Sequence, residues 1–165
     1  MTLIDLPDER ATAALAARLA PLAAAGDVIA LAGDLGTGKT SFARAFIRAR
    51  LGDPKEEVPS PTFTLVQIYE PKAGNGAPRQ GAGEAIWHFD LYRLESPEDA
   101  WELAIEDAFR DGISLIEWPD RLGPLLPSRR LEIALTAGDR VEARRAVLSA
   151  SETWQHRLHV FGTNG

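Results

Sequence analysis

The segment GDLGTGKT, residues 33–40, decides how this chain folds. It matches G-x-x-x-x-G-K-[ST] and lies between the apolar run DVIALA (residues 27–32) and KTSFARAFIRARL (residues 39–51). The first run reads as a buried strand. The second reads as a helix with Phe42, Phe46 and Ile47 facing inward and Gly52 at its C-cap. Strand, glycine loop and helix in that order make a cradle whose backbone N–H groups wrap phosphates at a helix N-terminus. Gly33, Asp34, Leu35, Gly36, Thr37, Gly38 and Ser41 are therefore expected around a bound nucleotide. Lys39 should reach its β- and γ-phosphates, and the Thr40 hydroxyl should be one ligand of a bridging Mg²⁺.

Working outward, residues 7–25 place Leu15, Leu19 and Leu22 at helical spacing before a stop at Gly26. TFTLVQIYE (62–70) and AIWHFDLYRL (85–94) alternate like half-buried strands and are expected to pair as a hairpin. The connection at 71–84 is mostly Gly, Ala and Pro without periodicity and reads as a mobile surface loop. Ser96 caps a helix expected over 97–111, with Pro97 at its first position and Gly112 at its end. ISLIE (113–117) is then a buried strand ending in an acid. RRLEIALTAGDR and RRAVLSAS read as two strands around a turn at Gly138 and Asp139. Two hairpins exclude an all-parallel sheet. The expected fold is a three-layer α/β P-loop domain with a mixed sheet, spanning 1–165 as one unit with 152–165 as a C-terminal tail.

Composition narrows the function. A chain of 165 residues, 45% hydrophobic and 25% charged, describes one ordinary globular domain. With no cysteine, thiol catalysis and thiolate metal sites are excluded. No apolar run is long enough to cross a bilayer and the first residues do not read as a targeting signal, so a cytoplasmic address is expected. A net charge of −6 and a pI near 5.1 argue against gripping a nucleic acid backbone unaided.

A phosphate loop needs acids at neighbouring strand ends for its metal and attacking water. Glu117 follows the apolar run ISLI, either as the acid completing the Mg²⁺ shell or as a solvated strand end. Asp90 lies within WHFDLY, where an unpaired carboxylate is costly; its partner is Arg93, a hydroxyl or the metal region. His88 shares its strand face with Asp90 and is placed to orient it, or is simply structural. Ser60, Thr62 and Thr64 form a polar cluster that reads equally as a γ-phosphate switch or as a turn leading into a strand.

GDLGTGKTSFAR, SPTFTLV, HFDLYRL and LIEWPDR, in that order, resemble the TsaE family of bacterial tRNA threonylcarbamoyladenosine biosynthesis. The resemblance implies a cytosolic ATPase that acts with the TsaD and TsaB proteins, supporting repeated rounds of carbamoyl transfer without performing it. It implies roles for Lys39 and Thr40 at phosphate and Mg²⁺, and for Glu117 as the metal-associated acid. Asp90 becomes the acid of the HxD segment, Thr62 the switch threonine and Trp118 the tryptophan beside ATP. The chain departs from the family where LAIED replaces a leucine-glycine pair before the acids Glu106 and Asp107. A small-molecule kinase would share the loop but needs an arginine-bearing lid and an acceptor pocket. A GTP switch fits Asp120 to Gly123 as D-x-x-G, yet no N-K-x-D segment reads guanine. A nucleotide-gated scaffold differs from an ATPase only in turnover.

Overall fold

The computed structural model describes residues 1–71 and 83–162. Eleven regular elements follow one another: β1 (Thr2–Leu6), α1 (Glu9–Leu19), β2 (Val28–Ala32), α2 (Lys39–Leu51), β3 (Val66–Tyr69), β4 (Ile86–Asp90), α3 (Ile105–Asp111), β5 (Ile113–Glu117), β6 (Leu131–Ala137), β7 (Arg144–Ala150) and α4 (Glu152–Gly162). The strands form one seven-stranded sheet in the order β1-β7-β6-β2-β5-β4-β3. Its centre, β6-β2-β5-β4, is parallel, and β1, β7 and β3 add antiparallel edges. The sheet is therefore mixed, as the two hairpins require.

Alternation along each central strand gives the sheet two buried faces. Ile29, Leu31, Leu115 and Ile133 pack with Leu15, Leu19, Phe42 and Phe46 of α1 and α2. Val28, Phe89 and Ile116 pack on the other side with Ala100, Ile105, Ala108 and Leu122. α1 starts where the Asp8 carboxylate accepts a hydrogen bond from the Ala11 N–H at 2.9 Å, capping an orphan donor. α2 ends at Gly52, whose φ of 66° is the left-handed turn that glycine adopts without strain.

Several elements differ from the sequence reading. Only Val66–Tyr69 of the expected strand at 62–70 joins the sheet. Leu65 has a φ of 66°, and its N–H donates to the Pro61 carbonyl at 2.8 Å, so 61–65 turn instead of extending. The expected helix at 97–111 is broken: Pro97–Leu103 is 3₁₀, and Ala104, at φ 56°, separates it from α3. That left-handed residue is the alanine of LAIED, where a Cβ makes the conformation costly. The first helix is shorter than 7–25 and gives way to a 3₁₀ turn, Ala20–Leu22, which contains Pro21. β1 was not expected at all; it exists by pairing with β7. Of the stretch set aside as a tail, Glu152–Gly162 forms α4, which buries Trp154 against the core. Most of the loop reading at 71–84 falls outside the described residues.

The start of β2 is tied to α4. Asp27, 4% exposed, accepts from the Ala24 N–H at 2.6 Å and pairs with the Arg157 guanidinium, which also donates to the Leu22 carbonyl. Asp27→Ala removes a charge-assisted pair and strands the Ala24 donor, a loss of about 2–3 kcal/mol. For a chain of this size that lowers Tm by roughly 5–10 °C. A thermal melt by circular dichroism checks it, and an unchanged Tm would show that the latch carries no stability.

Candidate functional site: a phosphate cradle facing two acids

Every residue of the site arrives at the C-terminal edge of the parallel strands. β2 ends in the glycine loop, β4 in Asp90 and β5 in Glu117, and the register sets Asp90 directly beside Glu117. A cleft of about 920 Å³ opens there, lined by residues 35–41 together with Ser60, Thr62, Asp90, Glu117 and Trp118. Such crevices beyond parallel strand ends are where open α/β sheets take ligands.

The loop has room only for glycine at its base. A Cβ on Gly33 would stand 2.5 Å from the Leu135 carbonyl oxygen and 2.6 Å from Thr37 Oγ1. Gly38, with φ at 97°, turns the chain into α2 so that the helix N-terminus faces the cleft. Thr37 Oγ1 donates to the Asp34 carbonyl at 2.8 Å and holds the loop closed underneath. Gly33 and Asp34, expected around the nucleotide, lie outside the cleft lining and instead hold Lys39 through their carbonyls, while residues 35–41 form the cradle wall.

Lys39 is 5% exposed and donates to the Gly33 and Asp34 carbonyls, with Nζ 4.2 Å from the Trp118 ring centre. Burial pushes its pKa below the ordinary 10.5, against the opposing pull of Glu117, Asp90, Asp34 and Asp120. Thr40 Oγ1 donates to Glu117 at 2.9 Å and 3.2 Å to the two carboxylate oxygens. His88, fully buried, meets Glu117 Oε2 through Nε2 at 2.7 Å. His88 therefore touches Glu117, not Asp90.

Asp90 accepts from Ser60 Oγ and from the Tyr92 N–H, both at 3.1 Å. Its hydroxyl partner is Ser60, and Arg93 instead lies over the Phe63 ring at 4.7 Å. Ser60 and Thr62 hydroxyls are 3.1 Å apart and line the cleft, while Thr64 lies outside its lining and 61–65 form the turn that leads into β3. Its approach is fastened to α2, where Arg44 donates to the Val58 carbonyl and Arg48 to that of Glu56. Trp118, at φ 57°, packs against Tyr92 with centroids 4.9 Å apart and the rings tilted by 51°, and lines one side of the cleft.

The donor set suits a nucleotide with Mg²⁺. Hard oxygen ligands from one hydroxyl and one carboxylate are what Mg²⁺ takes beside phosphates, and it needs no dense cluster of protein ligands. Among the described residues no group of three or more His, Cys, Asp or Glu forms such a cluster.

The family model for threonylcarbamoyl adenosine biosynthesis protein TsaE matches residues 6–147. The chain belongs to the TsaE family. The TsaE protein of Rickettsia conorii is 40% identical over 134 residues, covering 81% of this chain and 70% of its own. That of Bacillus subtilis is 36% identical over 135 residues, covering 81% and 75%. The crystal structure of Bacillus subtilis YdiB superposes with a TM-score of 0.71 at 28% identity, over 96% of this chain and 91% of that one. Membership of the TsaE family places the chain in threonylcarbamoyladenosine biosynthesis, and no helix among the described residues is long and apolar enough to cross a membrane.

Against this TsaE frame, Lys39, Thr40, Thr62, Asp90, Glu117 and Trp118 converge on one cleft. Asp120 and Gly123 of the D-x-x-G match lie on the 3₁₀ stretch Pro119–Leu125, outside the cleft lining. Glu106 and Asp107 sit on exposed positions of α3, with Asp107 paired to Arg110 at 3.0 Å. Sequence reasoning missed Arg10 and Arg144, which reach the cleft from α1 and β7. Arg144 donates to the backbone carbonyls of Gly36, Val141 and Ala143 at 3.0, 2.7 and 2.8 Å. It thereby staples the β6–β7 turn to the crown of the phosphate loop. Arg144→Ala frees that crown, and ADP affinity should fall by about tenfold, from loss of a charged hydrogen bond of about 1.5 kcal/mol. Isothermal calorimetry reads this; wild-type affinity would show the loop to be rigid without the staple.

Proposed function

We propose that the chain is a Mg²⁺-dependent ATP hydrolase, slow alone, whose nucleotide state times the work of TsaD and TsaB in forming threonylcarbamoyladenosine on tRNA. The observation that carries this reading is the Thr40 to Glu117 hydrogen bond, which brings the first turn of α2 against the end of β5. A hydroxyl and a carboxylate in that contact are the pair that would hold Mg²⁺ beside the β- and γ-phosphates.

The residues divide the chemistry. Backbone N–H groups of 35–41 bind the phosphates, and Lys39 exchanges its carbonyl partners for phosphate oxygens. Bound Mg²⁺ would neutralise charge developing on the transferred phosphoryl group. Asp90, held by Ser60, orients the attacking water and accepts its proton at the free face of the carboxylate. Trp118 shields the site from bulk water. Thr62 lies on the cleft beside Ser60 and reports the γ-phosphate to partners. Adenine is the base read, and the acidic balance of the chain leaves tRNA to the partner complex.

A timer works only if its partners distinguish the ATP-bound from the ADP-bound state. Phosphate release should therefore be slow for the lone chain and accelerate when TsaD and TsaB are added. Thr62→Ala should erase the difference in partner affinity between an ATP analogue and ADP. If Thr62→Ala left both affinity and stimulation untouched, the timing role would fail. Rapid turnover by the lone chain with a small hydroxyl acceptor would favour a kinase.

A further inference from the structure

His88 is fully buried and lies outside the lining of the cleft, yet it touches one of the cleft's acids. Its ring is fully buried on β4, two residues before Asp90. Nε2 lies 2.7 Å from Glu117 Oε2, while the other oxygen, Oε1, takes the Thr40 hydroxyl at 2.9 Å. Nδ1 is equally buried and has no hydrogen-bonding partner among the described residues. The register explains the contact: His88 is level with Leu115, one alternation behind Glu117 on the same sheet face, so the imidazole lies under the carboxylate.

We propose that His88 is a positioning residue, whose Nε2 holds the Glu117 carboxylate in place beside Thr40 for Mg²⁺. This rests on the nucleotide and Mg²⁺ reading of the cleft. The Thr40 hydroxyl comes closest to Oε1 and His88 to Oε2, so the two contacts together fix the orientation of the carboxylate, as the outer partners of metal ligands commonly do.

The test compares His88→Leu, which keeps bulk and removes the donor, with His88→Gln, whose Nε2 amide can reach the same oxygen. ADP affinity is measured by calorimetry with Mg²⁺ and with EDTA. His88→Leu should weaken ADP binding severalfold in Mg²⁺, by no more than the roughly tenfold loss of an outer metal partner, and leave it unchanged in EDTA, and His88→Gln should recover most of the loss. Equal losses in both media, or a His88→Gln no better than His88→Leu, would make His88 a packing residue and overturn the positioning role. So would a His88→Leu protein that keeps full Mg²⁺ dependence while the wild type shows it. A wild type whose ADP affinity ignores Mg²⁺ would overturn the proposed function and this inference together.

Discussion

Lys39→Ala should lower ATP and ADP affinity by about 100-fold, as expected if it removes two charged hydrogen bonds to phosphate at about 1.5 kcal/mol each. The side chain is already poised in the cradle, bonded to the Gly33 and Asp34 carbonyls and lying over Trp118. Exchange of carbonyl for phosphate should draw Nζ from the indole, so tryptophan fluorescence should follow binding in the wild type and lose that response in the variant. Unchanged affinity by calorimetry would take Lys39 out of the phosphate contact. Burial lowers the Lys39 pKa, so the folded chain holds this proton less tightly than the unfolded one. Charging Lys39 therefore opposes folding; the opposition is full below the lowered pKa and fades as pH rises towards 10.5. Nucleotide binding loses its cation over the same window and weakens there, at lower pH than an exposed lysine would set.

Glu117→Ala separates binding from chemistry. The Glu117 carboxylate touches Thr40 and His88 and stands beside Asp90, a place where charge stabilisation matters most as the phosphoryl group transfers. Partner-stimulated hydrolysis at saturating ATP should fall by roughly 10²–10³-fold. ADP affinity in Mg²⁺ should fall by only about tenfold, as for loss of one metal partner. Wild-type turnover would remove Glu117 from the reaction, and equal losses in binding and turnover would confine it to ground-state binding.

The parts of this molecule legible in its sequence are those set by neighbours along the chain. Lys39–Leu51 and Ile113–Glu117 form over the residues their periodicity predicts, and the glycine loop between β2 and α2 follows from local geometry. Alternation also puts His88 and Asp90 on one face. It does not say which strand lies beside them, and β5 in that place turns His88 towards Glu117. Arg144 escaped notice for the same reason: it meets Gly36 across 108 residues of chain, through the order β7-β6-β2. Leu65 and Ala104 take left-handed backbone that their side chains disfavour, and no propensity argument anticipates that. α4 did carry a signal, since Trp154 and Leu158 are one helical turn apart and both meet the core.

That last helix bears on where the functional unit ends. The family match stops at residue 147, within β7, yet Trp154 is 1% exposed and Arg157 pairs with the aspartate that opens β2. A fragment cut at the family boundary would lose the far end of β7 along with α4. It would uncover the side of the core beneath Trp154 and leave Asp27 a buried anion without its cation. β2 runs from that anion directly into the phosphate loop, so the damage would reach the cradle through a single strand. The signature motifs and the wall that supports them therefore belong to different stretches of chain, and an expression boundary drawn from the motifs alone would divide them.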